Sequence, residues 1–167
     1  MPLNQIKTYN SLLDISGLAE RERKISLKAI FDRDITNNAS FKFRSKPIQP
    51  TPKEGELKLE TLFTHLTTVV VDYKTKKREY DLYRSQRLHW LKYHVDEKRK
   101  QGMLVFSAKD KGGIRTYIYD QAEHYVIVLE PLRKINEYYL LTAYHLRGKD
   151  NKKIENKYKR RRLAELY

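Results

Sequence analysis

An α+β fold with helices early and strands late is predicted by three observations. Four short runs rich in β-branched and aromatic residues, Met103–Ala108, Ile114–Tyr119, Tyr125–Leu129 and Tyr138–Leu146, follow one another closely in the second half of the chain. Between them stand Gly112-Gly113, Asp120 and Pro131, the punctuation of hairpin connections in an antiparallel sheet. Ahead of them, Leu57, Leu59, Leu62, Phe63 and Leu66 recur at the spacing of one helix face.

The elements follow in order. Residues 1–20 carry scattered apolar positions broken by Ser16-Gly17, and Leu18 opens a charged helical stretch that runs to about Phe31. From Asn37 to Gly55, three prolines and a glycine surround the alternating Phe41-Lys42-Phe43-Arg44, which reads as an extended arm or edge strand followed by a linker. Residues 1–55 are therefore taken as an N-terminal helix, arm and linker, and 56–167 as the compact domain. After the helix that carries Leu57–Leu66, Thr67–Tyr73 reads as a strand closed by a lysine-bearing turn at Lys74–Lys77. Glu79–Leu91 suits a strand or a helix; the strand is preferred, leading into a helical segment at Val95–Lys100. No internal repeat is evident.

The 167 residues are 40% hydrophobic, enough for a single core. Lysine and arginine exceed aspartate and glutamate by 35 to 21, and a net charge of +14 argues for a polyanionic partner through long-range attraction and counterion release. The excess does not separate RNA from DNA or from an acidic protein. Cysteine is absent, which removes disulfides, thiol catalysis and cysteine-ligated metal sites. No run approaches the ~20 apolar residues of a membrane span and no signal-peptide pattern opens the chain, so a cytoplasmic location without membrane contact is the expectation. No HExxH, paired-carboxylate or nucleotide-binding glycine pattern is present, so neither metal nor cofactor is expected.

Cleavage of RNA through its own 2′-hydroxyl asks for a base, an acid and cations against the developing charge. Candidates for these roles gather at predicted strand ends. If Arg84–Trp90 is extended, Arg87 and His89 share one side, which suits phosphate binding and proton transfer; the alternative is a surface pair with an amphipathic histidine. Arg84 falls outside that parity and is a phosphate or anchoring candidate. Arg115 and Tyr117 share a side of their strand, either as a phosphate binder beside a phenol or as a solvated face. Glu130 closes its strand as a possible base or an ordinary strand-end carboxylate. Thr142 and Tyr144 lie on one side of the last strand with Leu146, while Leu141, Ala143 and His145 lie on the other. The pair can hold a phosphate, or Tyr144 caps the core. His65 ends the first helix of the compact part, aimed at a sheet or simply capping. From Arg147 to Arg162, nine lysines and arginines face two acids, and Lys149, Lys153, Lys157, Arg160 and Arg161 form a basic helix or extension suited to a nucleic-acid backbone.

The succession Phe63–Thr68, Lys77–Glu79 leading to Arg84-Ser85-Gln86-Arg87-Leu88-His89-Trp90, then Ile114–Ile118, Tyr125–Glu130 and Tyr139-Leu140-Leu141-Thr142-Ala143-Tyr144 resembles a prophage and mobile-element branch of the barnase, EndoU, colicin E5/D and RelE-like nuclease superfamily. The resemblance covers about residues 56–162. It implies N-terminal helices packed on a small, strongly twisted antiparallel sheet of four to six strands, with metal-independent endoribonuclease activity on the exposed face. By the motif match, His65 and His89 become candidates for proton transfer, Arg87 and Arg115 for stabilising the pentavalent phosphate, and Thr142 and Tyr144 for orienting it. The chain departs from the best-known secreted members in lacking a clear catalytic Glu paired with a late His. The resemblance further implies a toxin or defence effector whose basic cleft is covered by an acidic antitoxin or immunity protein. The alternative is a noncatalytic nucleic-acid-binding protein or a regulatory adaptor of a mobile element.

Overall fold

The computed structural model describes residues 2–7, 9 and 11–167. It is α+β, and the chain divides into two compact units: Met1–Phe41 with Pro52–Tyr93, and Lys42–Thr51 with His94–Tyr167. The boundary expected near residue 55 does not coincide with this division, because residues 42–51 pair with the C-terminal strands. Among the described residues, no helix is long and apolar enough to cross a membrane.

The first unit is mainly helical. A short turn of helix, α1 (Pro2–Gln5), is followed by α2 (Glu20–Phe31), which places Glu20 and Glu22 in its first turn and Lys28 in its last, each favourable to the helix dipole. Ser26, Leu27, Ile30 and Phe31 form its buried stripe, and a π-helical turn over Asp32–Thr36 continues it. Buried Asn4 fastens the N-terminal segment: its Nδ2 donates to Asp14 O and to Ser26 Oγ, and its Oδ1 accepts from Asp14 N. Helix α3 (Lys58–Thr67) buries Leu62, Phe63, Leu66 and Thr67, with Phe31 and Phe63 meeting edge to face at 5.4 Å. Two threonines end it. Thr67 Oγ1 and Thr68 Oγ1 donate back to the carbonyls of Phe63 and Thr64, and the chain turns directly into β3 (Thr68–Asp72). β3 pairs antiparallel with β4 (Lys77–Tyr80) as a separate two-stranded sheet. Asp72 Oδ1 accepts from Lys74 N at the turn, and Lys76 takes a positive φ of 57°.

Here the extended reading of Glu79–Leu91 fails. The strand ends at Tyr80, and Asp81 caps a helical turn, α4 (Leu82–Ser85), by accepting from Arg84 N at 2.7 Å. After a further turn, α5 (Trp90–Val95) follows, so the helix expected over Val95–Lys100 ends where it was expected to begin. The physical reason is local: an aspartate able to cap outcompetes a weak alternation interrupted by charges.

The second unit is built on a six-stranded sheet whose strands lie in the order Lys42–Phe43, Lys46–Pro50, Glu137–His145, Tyr125–Leu132, Gly113–Asp120 and Met103–Asp110. β5 (Met103–Asp110), β6 (Gly113–Asp120), β7 (Tyr125–Leu132) and β8 (Glu137–His145) form an antiparallel meander at the positions the sequence predicts. The sheet is nevertheless mixed. β2 (Lys46–Pro50) joins the free side of β8 in parallel, and β1 (Lys42–Phe43) pairs antiparallel to β2 as the edge strand. An ion pair of 3.1 Å between Arg44, in the β1–β2 turn, and Glu97, in the loop before β5, links the two ends of the strand order, which requires the sheet to curl strongly.

The middle of the sheet is buried on both faces rather than wet on one. One face carries Phe106, Ala108, Tyr117, Tyr119, Val126 and Val128, covered by α6 (Asp150–Arg160) through Ile154 and Tyr158. The helix found against the sheet is thus C-terminal, and the basic tail is mostly this helix. On the other face Ser107, Thr116, Ile118, Asp120, Tyr125, Ile127, Leu129, Tyr138 and Leu140 are buried.

Candidate active site

The expected site residues fall into both units. In the first, His65 is half-buried on α3; its imidazole pKa is lowered, first by desolvation and then by the nearby Arg78 charge. The His65 carbonyl accepts from Arg84 Nη1 at 2.7 Å, and the same nitrogen reaches Thr68 O at 3.0 Å, so Arg84 ties α4 to the α3–β3 junction. Arg87 bonds Tyr83 O at 2.7 Å and lies 5.2 Å from the Trp90 ring centre. His89 is buried, and its Nε2 donates to Ser11 O at 2.9 Å, an acceptor shared with Trp90 Nε1. Because this segment is helical and turned, Arg87 and His89 do not share a strand face.

In the second unit, Arg115 and Tyr117 do share a face of β6, the one covered by α6. Arg115 folds back on its own turn, donating from Nη1 to Ile114 O and from Nη2 to Gly112 O, with Glu130 at 3.6 Å. A Cβ at Gly112 would lie 2.6 Å from Arg115 Nη2, so glycine there leaves room for the guanidinium. Tyr117 donates to Asp110 and accepts from Lys157 Nζ at 3.0 Å; burial, then the Asp110 carboxylate, push its phenol well above the usual range. Thr142 and Tyr144 lie opposite Val128 and Val126 on the same covered face. A bulge at Leu141 turns that residue onto the face of Tyr144, against the expected alternation. Of the basic candidates on or beside α6, Lys153 pairs with Asp150 at 2.8 Å and Lys157 with Asp110 at 2.5 Å. Arg161 stacks on Tyr158 at 3.8 Å, whereas Lys149 and Arg160 are exposed to solvent.

The arrangement with most chemical content lies elsewhere in the second unit, and sequence reading did not single it out. His94, near the end of α5, is 1% exposed, and its Nε2 sits 3.0 Å from Oδ2 of Asp120, which is 0% exposed. Asp120 is itself held: Oδ1 accepts from the backbone N of Ala122 and Glu123 at 3.1 and 3.2 Å, and Arg99 Nη1 lies 3.7 Å from Oδ2. A carboxylate so fixed orients the imidazole and selects the tautomer protonated on Nε2. His94 lines a cleft of about 460 Å³ whose other walls include Arg44, Glu97, Arg99, Lys100 and Ile118. Three cations against one carboxylate suit a phosphodiester. Arg44 and Glu97, which pair within this cleft, both hold left-handed backbone, φ 55° and 51°, a conformation that costs energy away from glycine.

Among the described residues no group of three or more His, Asp or Glu side chains is placed to hold a metal ion. The only sequence clue to the His94–Asp120 pair is that both are polar residues beside strongly apolar runs. Comparison with models of known protein families, with curated proteins and with solved structures finds no match.

Proposed function

We propose that this protein binds RNA and cleaves it without a metal ion, using the cleft of the second unit. The observation that carries the reading is the His94 imidazole held 3.0 Å from the fully buried Asp120 carboxylate in a cleft that also presents Arg44, Arg99 and Lys100. His94 takes the proton of the 2′-hydroxyl as O2′ bonds to phosphorus. The P–O5′ bond breaks, and the leaving oxygen takes a proton from water, the hydroxide so formed being neutralised by the proton His94 gained, giving a 2′,3′-cyclic phosphate and a 5′-hydroxyl end. Arg44, Arg99 and Lys100 stabilise the charge on the pentavalent phosphate, Arg44 exchanging Glu97 for the substrate. This moves proton transfer from His65 and His89 to His94.

A second reading, binding without turnover, is favoured by the exposed Lys152, Lys159, Arg160 and Arg162 on and after α6, which suit a nucleic-acid backbone without positioning any reactive group. An acidic inhibitor protein would be drawn to the same cations; a role as a toxin or defence effector of a mobile element rests on the sequence resemblance.

The test is incubation of labelled single-stranded RNA and tRNA in EDTA with wild type, His94→Gln and Asp120→Asn, with product ends mapped. Cyclic-phosphate ends from wild type, lost by at least 100-fold in His94→Gln while binding persists, are expected. Equal cleavage by His94→Gln refutes the site, and salt-sensitive binding without cleavage of either RNA establishes the second reading instead.

A further inference from the structure

The first unit holds a cavity of about 530 Å³ between α2, α3 and the β3–β4 sheet, independent of the cleavage reading. Two of its lining groups are incompletely satisfied in a way that points to a ligand. Tyr80 Oη is buried and has no hydrogen-bond partner among the described residues, a costly state for a donor. Arg78 is half-buried and bonds only to Thr68, through Oγ1 at 2.8 Å and the carbonyl at 2.9 Å, so its desolvated charge has no carboxylate against it among the described residues. Arg23 lies over the Tyr80 ring at 3.6 Å, and Lys24 adds a further cation. Phe63 and Leu27 supply an apolar wall, and Glu20 and Glu60 add carboxylates to the lining.

From this we infer that the cavity is a binding site for a nucleoside 5′-phosphate, either free or as the 5′-terminal nucleotide of an RNA. The phosphate supplies the counter-charge that Arg78 lacks and draws Arg23 off the Tyr80 ring. That movement uncovers the phenol, which donates to a phosphate or ribose oxygen. The base lies along Phe63 with its N–H groups toward Glu60. Volume, charge and apolar wall together select against inorganic phosphate alone, which fills little of the space and leaves the apolar wall bare.

The full-length chain is titrated calorimetrically with AMP, UMP, adenosine and inorganic phosphate. Saturable binding of AMP or UMP is expected, with adenosine and phosphate each at least tenfold weaker. Arg23→Gln, a change at a half-buried position of α2, weakens AMP binding about tenfold, and Tyr80→Phe weakens it several-fold without lowering the unfolding midpoint, because the phenol has no partner to lose among the described residues. Absence of nucleotide binding at millimolar concentration, or unchanged affinity in both variants, overturns the proposal. Competition then separates the sources: displacement of AMP by a 5′-phosphorylated RNA tetranucleotide but not by its 5′-hydroxyl form assigns the site to an RNA end, and displacement by neither assigns it to free nucleotide. His94→Gln retains nucleotide binding, so failure of the cleavage reading leaves this result standing.

Discussion

Replacing Asp120 tests how much of the second unit depends on one buried carboxylate. Its side chain receives His94 Nε2 at 3.0 Å and two backbone N–H groups at 3.1 and 3.2 Å, with Arg99 at 3.7 Å and no solvent exposure. Asparagine keeps an oxygen for the Ala122 and Glu123 amides but sets an NH2 group against the His94 N–H and removes the charge. A hydrogen bond to a charged group contributes ~1.5–3 kcal/mol, so Asp120→Asn is expected to cost about 2 kcal/mol. Alanine also strands the imidazole N–H and both amides in a buried place, and its expected cost is ~3–5 kcal/mol, a large part of an ordinary domain's stability. Urea unfolding followed by far-ultraviolet circular dichroism measures both. An Asp120→Asn variant within about 0.5 kcal/mol of wild type, the range of a typical surface substitution, would refute the account of Asp120 as the fastening of His94.

Three further outcomes are expected. Ile154→Ala, which removes the buried anchor of α6, should cost ~2–4 kcal/mol in urea unfolding and raise proteolysis of residues 147–167, whereas Lys152→Ala on the exposed side should cost little. Tyr117→Phe deletes the phenol that bridges Asp110 and Lys157 while leaving that ion pair, and the expected loss is about 1 kcal/mol by the same measurement. His65 has its pKa lowered in the folded protein, chiefly by desolvation, so the unfolded chain takes up its proton first as pH falls. Its contribution therefore makes stability decline as pH drops below the ordinary histidine value near 6.5, and His65→Gln should flatten the stability profile between pH 7 and 5.

How much of this was legible in the sequence depended on the range of the interaction involved. Met103–Leu146 announced its four strands because alternation and hairpin turns are properties of neighbouring residues, and β5 to β8 pair with their neighbours in sequence. The Leu57–Leu66 stripe likewise became α3. Arg84–Trp90 was misread because its partial alternation concealed a cap at Asp81. The parallel seating of Ile48 beside Tyr138 was invisible, since a five-residue strand carries no signal for a partner 90 positions away. The candidate site shared that fate: His94 and Asp120 stand 26 residues apart, and neither spacing nor periodicity joins them.

The sequence by itself determined an α+β chain of +14 charge, without cysteine chemistry, with a C-terminal meander and a strongly basic end. These follow from composition and from contacts between near neighbours. Only the tertiary structure decided that the sheet is mixed and curled, that α6 covers the face of Thr142 and Tyr144, that His89 is a buried donor to Ser11, and that His94 is held by a carboxylate. Each of these depends on which distant segments pack together. That choice is made by the summed burial of many side chains and leaves no mark at any single position.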